Sequence, residues 1–449
     1  YVPVTKPLFA WDSLEDSPSL SSVKKLLGSI PDGRLLDGLR RHRGRGRNDY
    51  PVHVMWGVVL LRIILRHVSF EATLGELSRN AALRQLIGID SEQQVPKAWN
   101  VSRFLDVLGQ EPHLSELRKI FDVMTHELGI AVPDLGQQLA GDATALHARR
   151  KADAEAVAEE DAAGLPQAGG GRKEYYDEKG NVTKVVEWFG YKLHLLVDAK
   201  HEVALAYQVT APATGDGEAL PKLVAQAQAN LPAGRIRTLA YDKAADSNAV
   251  HELLADKKIK PLIQIRALWQ EQGEQMLPGH DGNSNIVYDE AGTVYCYDRS
   301  SRPMRRHRMA YIGYEPQRET IKYRCPARHE GWTCPHDGVC NAGKSYGKTV
   351  RVDRSIDLRR FPPIPRGTKK FGGLYKGRPG AGGGQFWFNG FWGVVCGNIA
   401  GARRFHALVG TVMVVHAAFA TLLAAAPRRQ GTLGKLRLGP VQKALQGAR

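Results

Sequence analysis

Apolar residues recur at three- and four-residue spacing through VSFEATLGELSRNAALRQLIGI (68–89) and HLSELRKIFDVMTHELGI (113–130). That spacing puts one apolar stripe on a helix, so helices are predicted from about Ser13 to about Leu128. The basic run Arg40 to Arg47 (RRHRGRGR) reads as a loop interrupting them. After Pro133 the pattern changes. QQLAGDATAL (137–146) predicts a strand running into a turn. Further strands are predicted at 185–197 (VVEWFGYKLHLLV), 202–209 (EVALAYQV), 235–242 (RIRTLAYD) and 260–265 (KPLIQI). Helical spacing lies between them at 215–231, with Asp216 as its N-cap, and at 247–258. Consecutive strands followed by strand–helix alternation predict a mixed α/β sheet.

The Ala-, Glu- and Gly-rich stretch 151–172 reads as a surface linker or mobile insertion. Residues 267–370, rich in Gly, Pro and Arg with short β-like runs, read as an insertion into the α/β part. From Gly401 the chain is helical again and ends in a basic tail. Within it ALVGTVMVVHAAFATLLAAA (407–426) is about long enough to span a bilayer. His416 at its middle and its many alanines favour a buried core helix, and no membrane partner is expected. The predicted organisation is 1–130 helical, 131–266 the first part of the α/β core, 267–370 the insertion, and 371–449 the closing helical part and tail.

A chain of 449 residues is long enough for two or three domains with a sizeable core. Its formal net charge of +16 and pI of about 9.6 favour a polyanionic partner such as nucleic acid over a merely basic enzyme. Five cysteines, an odd number, make no disulfide framework, and a reducing cytoplasm is expected. No secretory leader opens the sequence, and its first residue is Tyr, so the true start is expected to lie upstream.

Two acids stand out. Asp142 (AGDATAL) and Asp242 (TLAYDKAAD) each fall at the end of a predicted strand, where open α/β sheets form their clefts. Carboxylates suit magnesium chemistry on phosphodiesters because hard cations about 4 Å apart need oxygen ligands. Taken alone, an Asp at a strand end is more often a turn residue or a cap. The surroundings change that balance. The run Trp188 to Asp198 (WFGYKLHLLVD) resembles the GYKxHxxVD strand of bacterial insertion-sequence transposases, and GDAT at Asp142 and LAYDKAADS at Asp242 resemble the strands bearing their first two catalytic aspartates. GRGRNDYPV (44–52) and LGELSRNAALRQLIGI (74–89) resemble the N-terminal domain of the same family.

The resemblance implies a fold and an activity. The fold is a helical N-terminal DNA-binding domain followed by a ribonuclease-H-like mixed-sheet domain with a β-rich insertion. The activity is DDE-type cleavage and strand transfer at insertion-sequence ends, with Asp142 and Asp242 holding Mg2+ or Mn2+. The partners implied are double-stranded DNA, as terminal inverted repeats and target, and a second copy in a homodimer on paired ends. A nucleoid-associated location follows from the same likeness. The family closes its site with a helical glutamate in a Tyr–Arg–Glu–Lys pattern. Here Tyr375 and Arg378 supply the Tyr and Arg, but the glutamate position is Gly382 and the lysine position Asn389. PGAGGGQFWFNG between them resists a helix, because each glycine costs about 1 kcal/mol relative to alanine. Read one base later, codons for Gly380-Ala381 of the form GGA-GCN would begin with a glutamate, so a reading-frame excursion would account for the gap. A catalytically inactive relic that still binds DNA is the competing reading, and a nuclease without strand transfer is a third. Asp353 and Asp357 are weak substitutes for the missing acid.

Cys325, Cys334, Cys340 and His336 (CPARHEGWTCPHDGVC) form a candidate zinc set without a CxxC knuckle; buried free thiols are the competing reading. Arg40, Arg41, Arg43, Arg45 and Arg47 could enter a narrow minor groove or simply touch phosphates. The run 299–308 and the tail 428–449 offer further phosphate contacts.

Overall fold

A computed structural model describes residues 18–45, 49–149, 154–177, 181–266, 273–278, 285–377 and 399–426, with five isolated positions beyond Ala426. Seven helices come first: α1 (Pro18–Gly28), α2 (Gly33–Arg43), α3 (Val52–Ile64), α4 (Phe70–Arg79), α5 (Ala81–Gln85), α6 (Ala98–Leu108) and α7 (His113–Ala131). Ser69 and Asn80 cap α4 and α5, each side chain accepting a backbone N–H of the first turn. Four residues of the predicted basic loop are helical instead. Arg40 to Arg43 form the last turn of α2, where cations meet the negative end of the helix dipole, and Gly44 at φ 61° ends it.

The sheet follows: β1 (Gln138–His147), α8 (Ala154–Ala162), β2 (Gly169–Tyr176), β3 (Val182–Asp198), β4 (Ala204–Thr210), α9 (Asp216–Asn230), β5 (Thr238–Tyr241), α10 (Asn248–Asp256) and β6 (Lys260–Ile263). Its order is β2-β3-β1-β5-β6, with β4 also paired to β3. The pairs β1–β3, β2–β3 and β3–β4 are antiparallel, whereas β1–β5 and β5–β6 are parallel. This is the mixed, ribonuclease-H-like sheet that the sequence pointed to. Two local expectations fail. The supposed linker at 151–172 contains α8 and the start of β2, because its Ala and Glu residues are good helix formers. Gly215, not Asp216, is the N-cap of α9, and Asp216 lies in its first turn.

The insertion carries a four-stranded sheet, β7 (Gln275–Met276), β8 (Ile286–Tyr288), β9 (Val294–Asp298) and β10 (Arg305–Arg308). A three-stranded sheet follows, of β11 (Ala310–Glu315), β12 (Thr320–Arg324) and β13 (Thr349–Asp353), with short helices α11 (Pro326–Glu330) and α12 (Asp337–Cys340) between the last two strands. The sheets share a small core of their own around Ile286, Val294, Ile321, Tyr323 and Phe361. The chain then returns through α13 (Lys369–Tyr375) to α14 (Ala402–Ala425).

α14 is, among the described residues, the one helix long and apolar enough to cross a bilayer, yet it is buried within the fold. It packs against α3, α6, α7 and β4, and His416 at its middle accepts the backbone N–H of Ala204 at 3.0 Å. One continuous core runs from the N-terminal helices through the sheet to this helix.

Candidate active site

The central strands set the geometry. β1 and β5 lie side by side and parallel, with Gln138, Leu139 and Ala140 opposite Thr238, Leu239 and Ala240. Two residues further along each chain come Asp142 and Asp242. Carried two residues on, that register sets Asp142 of β1 level with Asp242, the residue that follows β5, on chains spaced about 4.8 Å apart. Asp142 is not at a strand end, as the sequence suggested. β1 continues to His147 because β3 pairs with it from Leu139 to His147, whereas β5 stops at Tyr241. Asp142 thus stands mid-strand at the level where its neighbour opens. Both residues are half-buried, and each accepts the backbone N–H of the next residue, Ala143 or Lys243.

The opposite face explains the residue before each aspartate. Gly141 has no side chain because the ring of Tyr241 lies against it; a Cβ there would collide with that ring and sit 2.9 Å from the Leu196 side chain. Gly–Asp on one strand and Tyr–Asp on the next thus form an interlocking pair. On β3 the register partner of Asp142 is Leu195, so the strand beside the acid presents Leu193 and Leu195 to the same face. Lys192 and His194, the polar residues of the GYKLHLLVD run, point the other way. There Lys192 pairs with Asp216 at 2.7 Å and His194 bonds Thr210 at 3.0 Å, tying the sheet to the start of α9. Burial, then the charge of Lys192, push His194 down to about 4 against the pull of Asp216. Asp198 is structural as well, accepting the backbone N–H groups of Gly136, Lys200 and His201.

Four residues after Asp242, Asp246 is buried and holds a cluster the sequence did not reveal. Arg359 donates to it at 2.7 Å, His251 meets it at 3.0 Å, the Arg266 backbone N–H at 2.7 Å and Arg366 at 3.5 Å. Burial works to raise the Asp246 carboxyl, but these donors together hold it below the ordinary range. The cluster clamps the segment after β13 to the loop carrying Asp242. The only sequence signal was a second acid within AYDKAAD and an Arg-rich DLRRFPPIPRG 110 residues later.

The remaining expected residues divide sharply. Tyr375 ends α13 with its ring stacked on Phe371. Arg378, Gly382 and Asn389 lie outside the described residues, as does Arg47. Asp353 accepts the Ser355 N–H and Asp357 pairs with Arg360 at 2.6 Å, local contacts within the insertion. Glu160 on α8, fully buried, accepts the Ala402 and Arg403 N–H groups and so caps α14. Among the described residues no three Cys, His, Asp or Glu side chains are placed to hold an ion together. His336 of the expected zinc set instead bonds Ser300 at 2.8 Å.

Beside the exposed Arg40, Arg41 and Arg45, a cavity of about 590 Å³ is lined by His42, Arg43, Tyr50, Lys97, Trp99 and Arg103 among others. Trp99 is 55% exposed there, with the Arg103 guanidinium 5.7 Å from its ring.

Comparison with known proteins agrees in kind. Residues 137–323 match the model of the family described as "Transposase DDE domain", and residues 14–106 that of the "Transposase domain (DUF772)". Among solved structures, the chain is similar to the piggyBac transposase in its synaptic complex with hairpin DNA, at 13% identity and a TM-score of 0.39, covering 95% of this chain and 80% of that one. It is also similar to the Mos1 transposase in a paired-end complex with the left transposon end, at 16% identity and a TM-score of 0.18, covering 49% of this chain and 60% of that one. No curated protein sequence matches the chain.

Proposed function

We propose that this chain, whose residues 137–323 match the transposase DDE domain and 14–106 the accompanying N-terminal transposase domain, is a polynucleotidyl transferase that cuts and joins DNA at the ends of an insertion sequence, with Asp142 and Asp242 as its first two catalytic acids. The observation that carries this reading is the parallel register of β1 and β5, which makes neighbours of two aspartates 100 residues apart. Their oxygens suit Mg2+ or Mn2+, which bind through one or two carboxylates and otherwise through water and substrate phosphates. When bound, such ions would activate the attacking hydroxyl and stabilise the leaving oxygen of the phosphodiester. The protein's own share is placement. β1 and β5 fix the spacing of the two acids, Gly141 and Tyr241 lock the strands together, and the Asp246 cluster anchors the Asp242 loop.

DNA would be held by the basic end of α2, with Arg40, Arg41, Arg43 and Arg45, and by the neighbouring Lys97 and Arg103. Such contacts release counterions, so affinity should fall steeply with salt, and each lost phosphate contact should lower the log–log slope by about 0.9. Arg41→Ala/Arg45→Ala tests this; an unchanged slope sets the assignment aside.

Gly382, standing where the family has its glutamate, favours a second reading, a DNA-binding protein without cleavage activity. Incubating the full chain with its element's terminal repeats and Mg2+ or Mn2+ separates the two. Cleavage with joining, lost by roughly 1,000-fold in Asp142→Asn and in Asp242→Asn, supports transposition. Retarded DNA without cleavage supports the second reading, and cleavage that survives both substitutions refutes the site.

A further inference from the structure

Three N-terminal helices each turn one side toward the same cavity. On α6, Trp99, Asn100, Arg103 and Phe104 recur at helical spacing and share one side. On α2, Leu39, His42 and Arg43 do the same, and on α3, Val52 and Met55. The space they enclose, about 590 Å³, is of the size that takes a small planar ligand. Its floor is apolar, because Leu39, Val52 and Met55 are buried. Its mouth is basic. Arg43, Lys97 and Arg103 line it, and Asp49 is the one acid among the described lining residues. The exposed Arg41 extends the same charge along the last turn of α2. Trp99 is the member that the fold does not explain. Trp56 on α3 is buried and donates its indole N–H to Asp32 at 2.7 Å, as a core tryptophan does. Trp99 instead stands more than half exposed, with the Arg103 guanidinium over its ring. An indole left in water at the rim of a cavity marks a surface that meets a ligand.

We propose that this cavity takes one unstacked base of a DNA strand, stacked on Trp99, while Arg43, Lys97 and Arg103 hold the phosphates beside it. Resting on the reading of the chain as a DNA-cutting transposase, this adds a site that senses an unpaired base. Every base has a flat face that an indole can cover, so stacking recognises a separated strand without requiring a sequence. The charge at the mouth decides between occupants. An uncharged aromatic ligand gains from Trp99 and the apolar floor but nothing from three cations, whereas a nucleotide in a strand uses both. Asn100 suits the base edge. Its Oδ1 already accepts the Lys97 backbone N–H at 3.1 Å, which leaves its amide N–H groups as donors. A closed duplex keeps its bases inside, so the cavity fills where the strands have parted or a base has left the stack.

The test measures binding of labelled DNA to the full chain without divalent metal, so that no strand is cut. The probes are a thymidine single strand, the same strand with abasic sugars in place of its nucleosides, and a closed duplex. Trp99→Ala should weaken the thymidine strand by roughly 5- to 150-fold, the worth of one stacked base. The salt slope should stay the same, because no phosphate contact is lost. Trp99→Phe, which keeps a ring, should restore most of the affinity and so exclude a loss through misfolding. The abasic strand and the duplex should bind the parent and Trp99→Ala alike. Unchanged affinity of Trp99→Ala for the thymidine strand overturns the proposal, and so does an equal loss on the abasic strand or the duplex. Arg41→Ala/Arg45→Ala separates this from the wider reading. DNA affinity that falls there but not in Trp99→Ala sinks the base site alone, whereas a parent chain that binds none of the probes sinks both.

Discussion

Adding one methyl group at Gly141 tests the reading of the catalytic strands. A Cβ there meets the Tyr241 ring at once and stands 2.9 Å from Leu196. Carbon atoms rest at about 3.5–4.0 Å, so the ring must retreat by roughly 1.5 Å or β1 and β5 must part. Overpacking of this kind costs about 1–3 kcal/mol, which should lower Tm by roughly 1–3 °C in a chain of this size. Because Asp142 and Asp242 adjoin the colliding pair, their spacing should change as well. A displacement of ~1 Å at a reacting centre can cost about 100-fold in rate. The assays are thermal unfolding and Mg2+-dependent cleavage of terminal repeats, run on Gly141→Ala, Tyr241→Leu and the double variant. Leu removes the ring, so the double variant should recover stability beyond the sum of the singles by about 0.5–3 kcal/mol. The stability arm does not depend on whether the protein is active. Strictly additive effects, or a Gly141→Ala protein that melts and cuts like the parent, would refute the interlock.

The Asp246 cluster gives a second expectation. Asp246→Ala leaves Arg359 and Arg366 buried without their partner and should cost about 3–5 kcal/mol, whereas Asp246→Ala/Arg359→Met should cost less than the two singles together; denaturant titration decides it. pH provides a third. Burial holds His194, His406 and His416 down to about 4, so the folded protein keeps them neutral while the unfolded chain protonates near 6.5. Their contribution is complete above about pH 6.5 and is lost as pH falls toward 4, at up to ~1.4 kcal/mol per pH unit for each histidine. Urea midpoints at pH 7, 6 and 5 should show that fall, and His416→Gln should reduce its slope.

What the sequence could and could not reveal follows from range. The amphipathic helices were legible because their signal repeats every turn, as in α7, where Leu117, Ile120, Phe121, Met124 and Leu128 are all buried. Strand positions were legible too, but not their ends. β1 looked finished at Asp142, with a turn beyond it, because pairing with β3 about fifty residues later is invisible to local pattern. The Ala–Glu stretch of α8 passed for a linker since nothing local announces that Glu160 caps a helix starting at Ala402. Asp142 and Asp242 stood out through their neighbours in the chain, whereas Asp246 depends on Arg359 and Arg366, 113 and 120 residues away.

The position of α14 bears on how the protein comes into being. A helix made of residues 402–425 fills the space between α3, α6, α7 and the sheet, so the N-terminal helices have no finished interior until the ribosome has passed codon 425. At about 5–20 residues per second the stretch from the end of α3 to the end of α14 takes roughly 18–72 s, during which the nascent chain exposes the apolar surface of α3. It also constrains the gene. Any slip of reading frame in the glycine-rich stretch has to be undone before residue 402, because a product left in the wrong frame, or cut short there, would lack the keystone on which both halves close.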